Sequence, residues 1–219
     1  MRKMITVKIN GEERQYPQGA TYEDVANDYQ QEYENLIALA ARDGKIRELF
    51  KKLTRDCEVT FFTLKDDVGN KTYVRSATML FLKAVFDVYG REAAQSCRVE
   101  FAIGNGSYIS PKGKINATEE NAAKIRNRMR ELVEAKTPFL KRSYSLDNAM
   151  ELFRKEGMKD KEKLFRYRRG SFVNIYEMDG YYDYYYGYML PNAGYVKWFD
   201  VIAYEDGFML LLPDKKDPT

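Results

Sequence analysis

Apolar and polar residues alternate from the start of the chain, with Ile5, Val7 and Ile9 set against Thr6, Lys8 and Asn10. A period of two puts one set on a single face of a strand. Asn10-Gly11 is the dipeptide that a two-residue hairpin turn favours, so a strand and its return are predicted. The period then lengthens: Tyr22, Val25, Ala26 and Tyr29 recur at helical spacing behind Thr21, and Asp24 is placed to complete a capping box. That helix is predicted to run to Gln30-Gln31. Residues 36–40 and 58–64 read as short buried strands, the first ending at Asp43-Gly44. Strand, hairpin, helix and further strands over residues 1–64 predict a small β-grasp module.

After the polar stretch 65–70 the spacing is helical again. Ser76 is the predicted N-cap of an apolar helix over 77–88 that Gly90 stops. Residues 99–103 predict a strand leading into Gly104-Asn105-Gly106-Ser107-Tyr108. Thr118 caps the most regular helix, whose stripe is Ala122, Ile125, Met129, Leu132 and Val133. Lys124, Arg128 and Arg130 fall on its outer face, and Pro138 closes the region. Ser145 caps a further helix with Leu146, Ala149, Met150 and Phe153 inward and Gly157 at its end. The remainder reads as strands over 172–178, 181–186, 195–204 and 208–212, with turns at Asp179-Gly180 and Asp206-Gly207. The whole pattern predicts an α+β fold in two parts, a β-grasp domain over 1–64 and a larger domain over 65–219 built on an antiparallel sheet.

Composition narrows the function. With 219 residues, 44% hydrophobic and 14% aromatic, the chain can bury two modest cores. It has no apolar run near the ~18 residues of a membrane span and no apolar leader pattern at its start, so a cytoplasmic protein is expected. Two cysteines, Cys57 and Cys97, imply reduced thiols rather than a disulfide framework, and the sequons at Asn105 and Asn116 are then chance matches. Histidine is absent, which removes Ser-His and Cys-His nucleophiles, imidazole bases and zinc sites that need imidazole. The net charge of +3 is uneven: residues 124–169 hold 15 basic and 7 acidic residues, a net of +8 against −5 for the rest. Such a stripe is the footprint of an anionic partner, although a pair of solvated amphipathic helices gives the same pattern.

Gly104-Asn105-Gly106 is followed by no Gly-Lys-Ser or Gly-Lys-Thr and completes no Gly-x-Gly-x-x-Gly, so it reads as a plain turn. Six of the eight residues from Tyr181 to Tyr188 are tyrosine. Strand alternation buries one set and leaves the other to stack on bases or to pack across strands.

These residues carry a family resemblance. Residues 4–64 resemble a TGS domain, the β-grasp module at the start of threonyl-tRNA synthetases, and the remainder resembles the editing domain that follows it there. In that family the helix after the β-grasp module begins His-Ser-x-x-His, where this chain has Arg75-Ser76-Ala77-Thr78-Met79. A later Asp-x-Cys-x-Gly-x-His-x-Pro-Asn segment is matched by Asp183-Tyr184-Tyr185-Tyr186-Gly187-Tyr188-Met189-Leu190-Pro191-Asn192. Arg75 and Met79 thus stand for two histidines, Tyr185 for the cysteine and Met189 for the last histidine. Hydrolysis of a mischarged aminoacyl-tRNA needs a metal- or histidine-activated water, so the resemblance implies a pocket without that chemistry. Its lining would be Arg75, Met79, Asp183, Tyr185 and Met189, with no catalytic residue and no metal; Arg75 near Tyr185 would suit an anion or a base ring. Lys124, Arg128, Lys141 and Arg142 would be outer contacts to nucleic acid or another anion.

The run 183–213 also resembles the N-terminal half of bacterial uridine-kinase-like proteins, in which such a region precedes a P-loop kinase domain. That implies an N-terminal fragment serving as a non-catalytic recognition or regulatory module. Its partners would be tRNA or a small anionic or nucleotide ligand, the kinase domain of the parent nucleoside kinase, and a second copy in a homodimer, with no membrane. No cofactor is implied for this chain; ATP and Mg²⁺ belong to the kinase domain. Two other readings stay open: a trans-editing deacylase in which Asp183 or a tyrosine replaces the lost centre, and a purely structural or dimerisation module without a pocket.

Overall fold

A computed structural model of the chain describes residues 3–166 and 170–218; the end of the basic segment, residues 167–169, lies outside them. The chain divides into two compact units. One comprises Met1–Ser76, Tyr188–Pro191 and Pro213–Thr219, the other Ala77–Gly187 and Asn192–Leu212.

In the first unit, β1 (Met4–Ile9), β2 (Glu12–Pro17), β3 (Ile37–Arg42), β4 (Lys45–Glu48) and β5 (Cys57–Thr63) form one mixed sheet in the order β2-β1-β5-β3-β4. β1 and β5 run parallel and the other pairs antiparallel, which is the β-grasp arrangement. The alternation of Ile5, Val7 and Ile9 buries all three. Asn10 and Gly11 turn the hairpin with φ of 51° and 90°, values that suit Asn and Gly. Helix α1 (Tyr22–Tyr29) carries the expected capping box of Thr21 and Asp24 and buries Tyr22, Val25, Ala26 and Tyr29. Asp43-Gly44, read as a strand end, is instead a second hairpin turn into β4, whose sequence Lys-Ile-Arg-Glu is too polar to signal a strand.

Helix α2 (Asp67–Tyr89) corrects the next expectation. It begins well before Ser76, so Ser76 is a mid-helix residue and not a cap. Its Oγ donates to the Thr72 carbonyl at 2.8 Å and accepts from the Leu190 N–H at 2.9 Å. The Asp-rich stretch with Gly69 looks like a turn in sequence, but the glycine answers a steric demand: a Cβ there would lie 2.0 Å from the Thr63 carbonyl oxygen. α2 continues into the second unit after Ser76.

The second unit adds α3 (Arg91–Ser96), β6 (Arg98–Ile103), β7 (Gly106–Ser110), α4 (Glu119–Glu134), β8 (Leu140–Ser145), α5 (Leu146–Lys155) and α6 (Lys159–Arg166). β9 (Phe172–Met178), β10 (Tyr181–Asp183), β11 (Asp200–Tyr204) and β12 (Gly207–Leu211) complete it. The antiparallel pairing is as expected, in two sheets rather than one: β10-β9-β8 and β11-β12-β7-β6. Gly104-Asn105 is the plain hairpin turn between β6 and β7. α4 buries Ala122, Ile125, Met129 and Leu132, while Val133 is only half-buried. It also closes the β11 edge, Arg126 donating to the Val201 carbonyl at 2.9 Å and Glu119 accepting from the Ala203 N–H at 3.4 Å. α5 and α6 pack Phe153 and Phe165 on Val173 and Ile175 of β9.

Two predicted strands are shortened. β10 stops at Asp183 rather than residue 186, because the Asp183 carboxylate takes the Tyr184 N–H at 2.7 Å and turns the chain out of the ladder. The stretch 195–204 is strand only from Asp200, preceded by a 3₁₀ turn at Ala193–Tyr195 capped by Asn192. The last hairpin turns at Glu205 and Asp206, one residue before the expected position, and Gly207 opens β12. A Cβ on Gly207 would sit 2.6 Å from the Ile109 carbonyl oxygen. Among the described residues no helix is long and apolar enough to cross a membrane.

Candidate functional site

A pocket of ≈ 230 Å³ opens in the second unit, walled by α2 through Thr78 and Leu82, by Cys97 just before β6 and Val99 within it, and by Lys161 of α6. Its other wall is the tyrosine-rich segment, with Tyr181, Asp183, Tyr184 and Tyr185. Asp183 is 4% exposed and gathers three donors. Lys161 pairs with its Oδ1, the Tyr184 N–H donates to the same oxygen, and the Tyr181 hydroxyl donates to Oδ2 at 3.3 Å. A carboxylate offers about four lone-pair directions, and these donors occupy three of them.

The Tyr185 hydroxyl is shielded from solvent and has the Asp183 carboxylate as a potential acceptor. Burial, followed by the Asp183 charge, drives the pKa of Tyr181 and Tyr185 well above the ordinary phenol value. Both are therefore neutral hydrogen-bond donors. Burial also pushes the Cys97 thiol up to about 12, which makes it a poor nucleophile. The pocket can bind a small polar group through neutral donors and one ion pair.

Of the five residues expected to line a pocket, Asp183 and Tyr185 share this one. Met79 is fully buried in α2 and does not line it. Arg75 and Met189 belong to the first unit, where Arg75 Nε donates to the Tyr188 carbonyl at 3.1 Å and Nη2 to Thr72 at 3.4 Å. The Met189 N–H donates to the buried Glu48 carboxylate at 3.2 Å, and its sulfur lies 3.9 Å from Ser76 Oγ, whose proton goes to the Thr72 carbonyl. The guanidinium at the position of the first histidine thus secures a backbone segment. Sequence reasoning missed Lys161, Tyr181 and Thr78. Lys161 sits in a run of alternating charges that reads as a solvated helix face, and only its placement beside a buried carboxylate distinguishes it.

The outer cations are each engaged within the chain. Lys124 pairs with Glu120 at 2.7 Å, and Arg128 bridges Asp87 at 2.8 Å and Glu131 at 2.7 Å. Arg142 pairs with Glu177 at 3.0 Å. The Lys141 ammonium lies 5.3 Å from the ring centroid of Tyr176, its cross-strand neighbour, within cation–π reach.

No protein-family model matches the chain. It is 28% identical over 208 residues to the threonine–tRNA ligase of Thermotoga neapolitana, covering 92% of this chain and 31% of that protein. The corresponding figures are 28% over 207 residues for the Thermotoga maritima ligase (91% and 30%) and 25% over 194 residues for that of Porphyromonas gingivalis (86% and 29%). The chain spans about a third of the length of the curated relatives it matches. Over about 90% of its length it is thus similar to the N-terminal region of threonine–tRNA ligases.

Proposed function

We propose that this chain is a tRNA-directed recognition module that binds at the Asp183 pocket and does not hydrolyse what it binds. In this reading the first unit is a TGS-type module and the second an editing-type unit that keeps the pocket and has lost the reaction. The observation that carries it is the pocket itself. A buried Asp183 tied down by Lys161, Tyr181 and Tyr184 lies beside the buried Tyr185 hydroxyl, in a chain with no histidine. A pocket of ≈ 230 Å³ walled by these polar groups suits a group of amino-acid size. The similarity to ligases that act on tRNA supports the choice of partner. The same relatives are ligases, so they lend nothing to a kinase-bearing parent protein.

The test combines filter binding of threonine-acceptor tRNA at low salt with deacylation of the same tRNA mischarged with serine. Saturable binding with ester loss no faster than in buffer is the expected result. Hydrolysis that disappears in Asp183→Asn would show a working centre and overturn the non-catalytic assignment. Absent binding would overturn the tRNA assignment.

A further inference from the structure

β6 is the end strand of its sheet, and among the described residues no strand pairs with its outer edge. The opposite edge, β11, is closed by Arg126 and Glu119 of α4. All six residues of β6 are exposed, Phe101 at 49% and Ile103 at 47% among them. An exposed apolar edge is a template for another strand, which proteins commonly block with charge. Here both charged residues of the strand are engaged within the chain. Arg98 donates to the Gln95 and Cys97 carbonyls at 2.6 and 3.0 Å, and Glu100 pairs with Lys112. Phe101-Ala102-Ile103 is left as an uncharged stretch of open edge.

The hairpin fixes which backbone groups face that edge. Ile103 and Gly106 close a two-residue turn, and Phe101 lies opposite Tyr108. Antiparallel alternation makes these two the hydrogen-bonded pairs. Ala102 falls between them, so its N–H and C=O point away from β7 to the open edge. Phe101 and Ile103 share one face of the sheet, where the Phe101 ring stacks on Tyr108 with centroids 4.9 Å apart.

A second copy of the chain fits this edge. An antiparallel two-fold at Ala102 sets each Ala102 opposite the other, so that the two exchange both hydrogen bonds, and sets Phe101 of each copy against Ile103 of the other. Glu100 then faces Gly104, and no charge meets its like. A patch that complements itself in this way is what a two-fold interface requires. The aromatic face is a poorer match for RNA, because the Tyr108 hydroxyl is held by Asp206, next to Glu205, and these carboxylates repel phosphate.

We propose that β6 pairs with β6 of a second copy about a two-fold at Ala102, joining two four-stranded sheets into one of eight strands. Six residues a side is well below the roughly 20–30 of a standard interface, so the dimer is reversible. The pairing is independent of the tRNA reading.

The experiment is sedimentation of the full chain from micromolar to near-millimolar concentration. The average mass of the wild type is expected to rise from the monomer towards twice that value. Ala102→Pro removes the outward N–H and leaves the bonds to β7 in place; it should weaken the dimer by about tenfold or more. Ile103→Lys should do the same by placing a charge on the edge. Circular dichroism shows that each variant is folded. If Ala102→Pro unfolds, Ile103→Lys decides. Ala102→Cys brings two thiols to the axis with Cα atoms about 5.5 Å apart, within reach of a disulfide, so under oxidation it should yield a cross-linked dimer that the wild type does not form. A wild type that stays monomeric throughout, or a dimer that survives in both folded variants, overturns the proposal.

Discussion

At Asp183 a buried carboxylate is held by one ammonium, one phenol and one backbone amide, and the two members of the ion pair are unequal. The Lys161 side chain is 23% exposed and that of Asp183 is 6% exposed. Removing Lys161 leaves a charge stranded in the interior, whereas removing the carboxylate lets the ammonium turn to water. Lys161→Ala is therefore expected to cost about 3 kcal/mol of unfolding free energy and Asp183→Asn about 1–2 kcal/mol, an order that urea denaturation can check. Cys97 supplies a pH test. Its thiol, raised from 9.0 to about 12 by burial, keeps its proton in the folded state where the unfolded state has lost it. The contribution is complete below pH 9 and is lost as pH rises from about 9 towards 12. Stability is expected to decline over that range, and Cys97→Ala should flatten the part between pH 9 and 10, before the tyrosines titrate. The sequence singled out Asp183 and Tyr185 by their place in a motif. It could not single out Lys161 or Tyr181, because their role is set by a neighbour that only folding supplies.

Among the elements, legibility tracked the strength of local signals. The Asn10-Gly11 hairpin, α1 behind its capping box, and α4 and α5 behind Thr118 and Ser145 formed where their caps and apolar periods placed them. β4, α3, α6 and β8 escaped notice because each is short and predominantly polar, so a tertiary neighbour and not a periodic face defines it. α2 is the instructive case. Its first turn contains Gly69, which propensity counts against a helix, yet the close approach of the Thr63 carbonyl leaves room for no side chain. Gly69→Ala, favourable on propensity alone, should instead destabilise by about 1–3 kcal/mol through overpacking. A rise in melting temperature would refute the steric account.

Among the described residues of the whole molecule, ion pairs join the basic segment to acidic residues outside it. Asp87, Glu177, Asp183 and Asp200, all outside the basic segment, pair with Arg128, Arg142, Lys161 and Arg126 inside it. The four cations neutralised in this way release few counterions. The slope of log K against log salt for tRNA is therefore expected to lie between about 1 and 3, with about 0.9 lost per phosphate contact removed. Lys124→Ala combined with Arg128→Ala should lower it by less than one such step; a steeper slope that collapses in this double variant would restore the stripe as the principal contact.

The first unit is also not one stretch of sequence. Tyr188–Pro191 returns to it late in the chain, giving Glu48 the Met189 amide, Ser76 the Leu190 amide and Arg75 the Tyr188 carbonyl. A gene segment ending at residue 76 is therefore not a complete cassette, because two later stretches of the chain, Tyr188–Pro191 and Pro213–Thr219, belong to the same unit. Cutting the chain at that boundary would strip Glu48, Ser76 and Arg75 of the partners that the late segment brings them.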